Sequence, residues 1–157
     1  MSLSDYRKVL VTGASSGIGE AVVRRLTSHN LEVHALARRQ DRLSELASAT
    51  GCIPLALDLR DTDALYDTLQ STEYDVLINN AGVIGPDTTL DDDFSAEEFS
   101  ATLAINSFAP LRISQAFLGS VSASRQKKIV VITSGLGSIQ VAPEVPHPGP
   151  FFRPLLL

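Results

Sequence analysis

The stretch Thr12–Gly19 (TGASSGIG) sets glycines at 13, 17 and 19 between a short apolar run and a helical pattern. Glycine allows a tight turn and a close backbone approach to a ligand, and amides at a helix start point toward negative charge. Gly13, Ser15, Ser16, Gly17, Ile18 and Gly19 therefore suit the cradling of a pyrophosphate. Their spacing departs from G-x-G-x-x-G, so the position between strand and helix carries this reading. A ligand-free turn would use the same residues. Further along stand the basic pair Arg38-Arg39, Asp58 and Leu59 in LDLRD, the run Asn79-Asn80-Ala81-Gly82, Asn106 in LAINSFAP, and Ser134 after KIVVIT. Guanidinium groups bind phosphate in a bidentate fashion, carboxylates accept from amino groups, and amides do both. Each also has a plainer use: the arginines as a solvated turn, Asp58 as a helix cap, and the Asn-Asn-Ala-Gly run as a turn.

The elements that must position these residues follow from apolar spacing. Lys8–Thr12 reads as a strand buried on both faces, followed by a helix from Gly17 to about His29-Asn30, where Asn suits the C-terminal cap. Strands are expected over Leu31–Ala37, Cys52–Leu57 and Asp75–Ile78, the last ending at Asn79. A helix over Arg39–Ala49 faces Leu43, Leu46 and Ala47 inward, and one over Thr62–Gln70 faces Ala64, Leu65 and Leu69 inward. Ser95 with Glu98 forms a capping box that opens a long helix through Phe99, Leu103, Ala104, Ile113 and Phe117, with Pro110 inside it. Lys128–Thr133 supplies a fifth strand. Strands alternating with helices imply an α/β fold: a doubly wound parallel sheet with helices on both faces.

TGASSGIG resembles the TGxxxGIG cofactor loop of the short-chain dehydrogenase/reductase family, in its single-domain branch, and Asn79–Gly82 matches that family's NNAG motif. The resemblance covers residues 8 to about 140 and implies a Rossmann-like domain over residues 1–140. It also implies a nicotinamide coenzyme and an alcohol or carbonyl substrate. By the same resemblance Asp58 contacts adenine with Leu59 beside it, and Asn80, Ala81 and Gly82 line the cofactor cleft. An acidic residue at the end of the second strand, roughly 20 residues past the loop, would bind the ribose 2′-hydroxyl of NAD. Ala37 occupies that place and Arg38 follows, which favours NADP over NAD. Asn106 matches the Asn at a kink in the family's long helix. Pro110, four residues on, has no N–H for the Asn106 carbonyl, which frees that carbonyl for a water of the proton relay. Ser134 matches the Ser that hydrogen-bonds the substrate oxygen.

The family's catalytic Tyr and Lys are absent. Counted from Ser134, the Tyr position falls near His147 and the Lys position near Phe151, and the tyrosines of the chain are Tyr6, Tyr66 and Tyr74. His147 in a Pro-rich tail is read as solvated, with nothing nearby to orient it, and Arg153 is no better placed as a substitute cation. Residues 141–157 hold Pro143, Pro146, Pro148, Pro150 and Pro154 and are expected to be an irregular tail outside the family pattern. The expected explanation is a fold truncated after the fifth strand, or a frame-shifted product; a natural, shortened protein is the other. Truncation would leave KIVVIT as an apolar edge, so aggregation or a homo-oligomer through that strand is expected.

A net charge of −5 gives no footprint for nucleic acid, and Asp91-Asp92-Asp93 reads as a solvated loop. The single Cys52 excludes an internal disulfide, and the N-terminus lacks signal-peptide layout, which points to a reducing cytoplasmic setting. No apolar run approaches the roughly 20 residues that span a bilayer, and no metal is expected. Two functions remain open: an NADP-dependent alcohol/carbonyl oxidoreductase, and a non-catalytic nucleotide-binding or partner-binding module derived from that family.

Overall fold

Continuous apolar runs form strands here, the central ones because helices cover both faces of the sheet there. In a computed structural model, which describes residues 5–69, 72–85 and 95–134, these runs fold as β1 (Lys8–Thr12), β2 (Glu32–Ala37), β3 (Ile53–Ala56), β4 (Val76–Asn79) and β5 (Lys128–Val131). All pairings are parallel, in the order β3-β2-β1-β4-β5. Between them run α1 (Gly17–Thr27), α2 (Gln40–Thr50), α3 (Thr62–Leu69), α4 (Ala96–Leu103) and α5 (Ala109–Ala123). The sheet is the expected doubly wound one, with β5 at its edge among the described residues.

The period of two along each strand sorts the core into two layers. Val9, Val11, Val33 and Ala35 pack with Val23 of α1 and with Leu43 and Leu46 of α2. Leu10, Leu36 and Leu77 pack on the other face with Leu65 of α3 and with Ile113 and Phe117 of α5. Caps follow local chemistry. Asn30 takes the left-handed conformation expected of it after α1, and the Ser95 hydroxyl accepts the Glu98 N–H at 3.3 Å. Asp61, not Asp58, caps α3, accepting from the Ala64 N–H at 3.1 Å.

Three expectations need correction. The long helix is not one kinked α-helix: between α4 and α5, Ala104–Phe108 form a π turn in which the Ala109 N–H reaches the Ala104 carbonyl. Pro110 explains it, because a residue without N–H breaks the i→i−4 ladder and the wider turn re-routes the neighbouring bonds. The fifth strand is shorter than KIVVIT and ends at Val131, although the Ile132 N–H still bonds the Asn79 carbonyl at 2.8 Å. Phe99 and Leu103 do not face the core but are about half exposed on α4. On β5, Ile129, Val130 and Val131, with Ile132 beyond it, are 37–57% exposed. Gln70, the Leu69 side chain, Asp91–Asp93 and the tail 141–157 with His147 and Arg153 lie outside the described residues. No helix among the described residues is long and apolar enough to cross a membrane.

At the N-terminal end of the sheet a polar chain crosses three elements. Glu32 pairs with Lys8 at 3.1 Å and receives His34 Nε2 at 2.9 Å, and His34 Nδ1 meets the buried Tyr74 hydroxyl at 2.8 Å. A carboxylate only accepts, so in the neutral ring Nε2 carries the proton and Nδ1 accepts from Tyr74. His34 first, and then Lys8, hold the Glu32 carboxyl below its usual range, while burial pushes the Tyr74 phenol up. Tyr74→Phe would leave the His34 nitrogen without this partner, so a loss of roughly 1–3 kcal/mol in urea unfolding is expected. An unchanged midpoint would mean that the bond contributes nothing.

Candidate cofactor site

The chain lays down β1, β2 and β3 side by side and then returns past β1 to place β4 on the other side. Such a reversal opens a crevice beyond the carboxyl ends of the strands. A cleft of about 390 Å³ lies there, walled by the segments that leave four strands: Gly13, Ser15, Ser16 and Ile18 after β1, Ala37–Arg39 after β2, Leu57–Leu59 after β3, and Asn80–Val83 after β4. Ile105 of the π turn also lines it.

Thr12 and Asn80 join the two sides of the crevice. The buried Thr12 hydroxyl accepts the N–H groups of Asn80 at 3.0 Å and Ala81 at 3.1 Å and faces the Ile78 carbonyl at 3.4 Å. The Asn80 side-chain amide donates back to the Thr12 carbonyl at 3.0 Å. Asn79 turns the other way: its Nδ2 donates to Ser114 Oγ at 3.1 Å and so ties β4 to α5. Two glycines permit this closeness. Gly13 has φ +66°, and a Cβ there would sit 2.7 Å from Ala81 Cα. A Cβ on Gly19 would strike the Gly13 carbonyl oxygen and the Asn80 amide nitrogen. Ser16, at the N-cap of α1, makes no side-chain bond to the helix amides, so they face the loop without a side-chain cap. A backbone bared by glycines, uncapped amides and nearby guanidinium groups is a donor set that fits a pyrophosphate.

A family model described as "short chain dehydrogenase" matches residues 7–146. The chain belongs to the short-chain dehydrogenase family. It is 34% identical over 146 residues to a short-chain type dehydrogenase/reductase of Sinorhizobium fredii, covering 93% of this chain and 56% of that protein. It is also 32% identical to an NADP-dependent 3-hydroxy acid dehydrogenase of Shigella flexneri, covering 83% of this chain and 55% of that one. The chain thus spans a little over half the length of these relatives. Among solved structures it resembles an alcohol dehydrogenase of Thermococcus sibiricus complexed with 5-hydroxy-NADP, at TM-score 0.72 and 29% identity over 85% of this chain and 60% of that one.

Within this short-chain dehydrogenase fold, ten of the residues picked from sequence wall one cleft: Gly13, Ser15, Ser16, Ile18, Arg38, Asp58, Leu59, Asn80, Ala81 and Gly82. Gly17 and Gly19 shape the loop without lining the cleft. Asn106 sits in the π turn, and its amide clasps Val83: Oδ1 accepts the Val83 N–H at 2.9 Å and Nδ2 donates to the Val83 carbonyl at 2.8 Å. Ser134 follows β5 at the same end of the sheet, exposed and outside the cleft wall. Sequence reasoning placed Ala37 at the ribose-facing strand end, missed Leu57, Val83 and Ile105 as lining residues, and chose Arg38 over Arg39. The rule that ligands meet strand ends would have found Leu57; Val83 and Ile105 carry no motif. Arg39 also lines the cleft, with its guanidinium 3.3 Å from both the Ser15 carbonyl and the Ser15 hydroxyl.

Asp58 is clasped by Arg60. Arg60 Nη2 lies 2.6 Å from Oδ2, its Nε 3.1 Å from both oxygens, and its backbone N–H donates to Oδ1 at 2.9 Å. Arg60 is the main reason the Asp58 carboxyl is held at about 2 rather than 3.8, against an opposing effect of burial. Because the folded value is the lower one, any stabilisation from this pair is complete above the ordinary carboxylate value and disappears as pH falls from there toward about 2. A carboxyl ¹³C titration should find the midpoint near about 2, and Arg60→Gln should raise it toward 3.8. Gly19 and Gly82 should respond differently to an added methyl group. Gly19→Ala should lower the melting temperature and disrupt the loop, whereas Gly82→Ala, whose Cβ would lie 3.6 Å from Asn106 Oδ1, should melt close to wild type. Equal melting of the two variants would contradict the close packing of the loop on Asn80.

Proposed function

We propose that this chain holds the coenzyme of an NADP(H)-dependent oxidoreductase that interconverts alcohols and carbonyls. The observation that carries the reading is the meeting of the Gly13–Gly19 loop with Arg38 and Arg39 in one cleft whose β2 end, Ala37, has no acidic side chain. An acid there would favour a free ribose 2′-hydroxyl, and guanidinium groups favour a 2′-phosphate. The Shigella flexneri relative is an NADP-dependent dehydrogenase and the Thermococcus sibiricus enzyme is complexed with 5-hydroxy-NADP, which supports the same choice.

When bound, the coenzyme supplies hydride exchange with the substrate carbon. The chain's own residues do the holding. Loop amides from Gly13, Ser15, Ser16, Gly17, Ile18 and Gly19 take the pyrophosphate, and Arg38 takes the 2′-phosphate with Arg39 beside it. Asp58 accepts from the adenine amino group: the three N–H groups of Arg60 leave about one of its roughly four acceptor sites free. Leu59, Asn80, Ala81 and Gly82 complete the wall. Ser134 holds the substrate oxygen, and the Asn106 carbonyl, which Pro110 cannot serve as i+4 donor, takes a water of the proton relay.

One observation favours the second reading, a nucleotide-binding module without chemistry. No tyrosine lines the cleft: Tyr74 is buried against Phe117 and His34, Tyr6 stacks near Lys128, and Tyr66 is exposed on α3. Titration calorimetry is expected to show NADPH binding more tightly than NADH. Arg38→Ala should weaken NADPH by roughly tenfold or more while leaving NADH nearly unchanged. An unchanged preference would overturn the 2′-phosphate assignment. Binding without turnover across a panel of ketones and aldehydes would decide for the module.

A further inference from the structure

Among the described residues, Asp58 is the one acidic side chain in the cleft wall. Left bare, its carboxylate would oppose any phosphate entering beside Arg38 and would compete for that guanidinium. Arg60 covers it. The fork of Arg60 meets both carboxylate oxygens at 2.6–3.1 Å, and the same residue adds its backbone N–H. Arg60 is not part of the cleft wall and is half exposed, so it reaches Asp58 from outside. The charges that act on Asp58 are Arg60, from its own loop, and Arg38, from the turn after β2. The hydrogen bonds and the ion pair that hold the Asp58 carboxylate come from Arg60, and none of them from Arg38. Arg38 is thus not committed to Asp58.

We infer that Arg60 selects the coenzyme without touching it: by neutralising Asp58 from outside the cleft, it leaves Arg38 for the adenosine 2′-phosphate. Arg60 is then a positioning residue, and the inference rests on the 2′-phosphate reading above. Its signature is a change in the ratio of two affinities. The loss of a merely structural contact would weaken NADPH and NADH alike.

The test measures NADPH and NADH affinity by coenzyme fluorescence on the purified chain carrying Arg60→Gln, Arg60→Lys, Asp58→Asn, or Asp58→Asn with Arg60→Gln. Arg60→Gln should narrow the NADPH preference by roughly three- to fivefold, the scale of an exposed ion pair, and Arg60→Lys should restore part of it. With Asp58→Asn already present, Arg60→Gln should leave the ratio unmoved, because no carboxylate remains to neutralise. A ratio unaffected by Arg60→Gln, a parallel fall in both affinities, or the same narrowing in the Asp58→Asn background would each overturn the inference. If the wild-type chain binds both coenzymes alike, the 2′-phosphate reading fails and takes this one with it. If wild type prefers NADPH and Arg60→Gln leaves the ratio of the two affinities unchanged, only the role of Arg60 is lost.

Discussion

The cleft depends on one buried hydroxyl. Thr12 ends β1 at the point where the chain has doubled back, and its oxygen takes two N–H groups from the segment that leaves β4. Inside a low-dielectric core those two donors would each be costly if left unmet. The hydroxyl therefore sets how far apart the two sides of the switch point stand, and Asn80 doubles the tie by donating back. The contact is closer than side chains at 13 and 19 would allow. The missing Cβ atoms thus serve packing within the protein, letting the loop and the Asn80–Ala81 segment meet.

Around this clamp the electrostatics are arranged by neighbouring turns. Arg38 and Arg39 come from the end of β2, the Asp58–Arg60 pair from the end of β3, and the uncapped amides from α1. Parallel strands put all these strand ends on one side, so the guanidinium groups, the neutralised carboxylate and the helix amides converge there. A chain of net charge −5 can therefore present a cleft suited to an anion. The opposite end of the same sheet carries the Lys8–Glu32–His34–Tyr74 chain, which joins β1, β2 and the loop before β4. The cleft and the cross-bracing are separated by the length of a strand.

The π turn links the cleft to the helical layer. It arises from Pro110, and it brings Ile105 into the cleft wall and the Asn106 amide onto Val83. A regular helix would rotate those residues by a different angle for the same sequence position. The loop after β4 and the start of α5 are thereby held in one register, with Ala109 and Ile113 buried beneath.

Local sequence determined a large part of this. Apolar runs identified the strands to within a residue or two; burial on both faces accounts for the signature of β1, β2 and β4, and β3 and β5 carry the same kind of apolar run with more of it exposed. The glycine loop, Asn80–Gly82 and Asp58 could be picked out because backbone freedom and those hydrogen-bonding groups are supplied by few residue types, and the fold brings them to one cleft. The π turn was half legible: Pro110 announces a disrupted ladder but not which carbonyls find new donors. Only the tertiary structure decided that Asn79 and Asn80 serve different elements, that Arg60 closes on Asp58, and that Val83 and Ile105 wall the cleft. These depend on how strand ends from distant parts of the chain converge, and no spacing along the sequence encodes the angle at which two side chains meet in space.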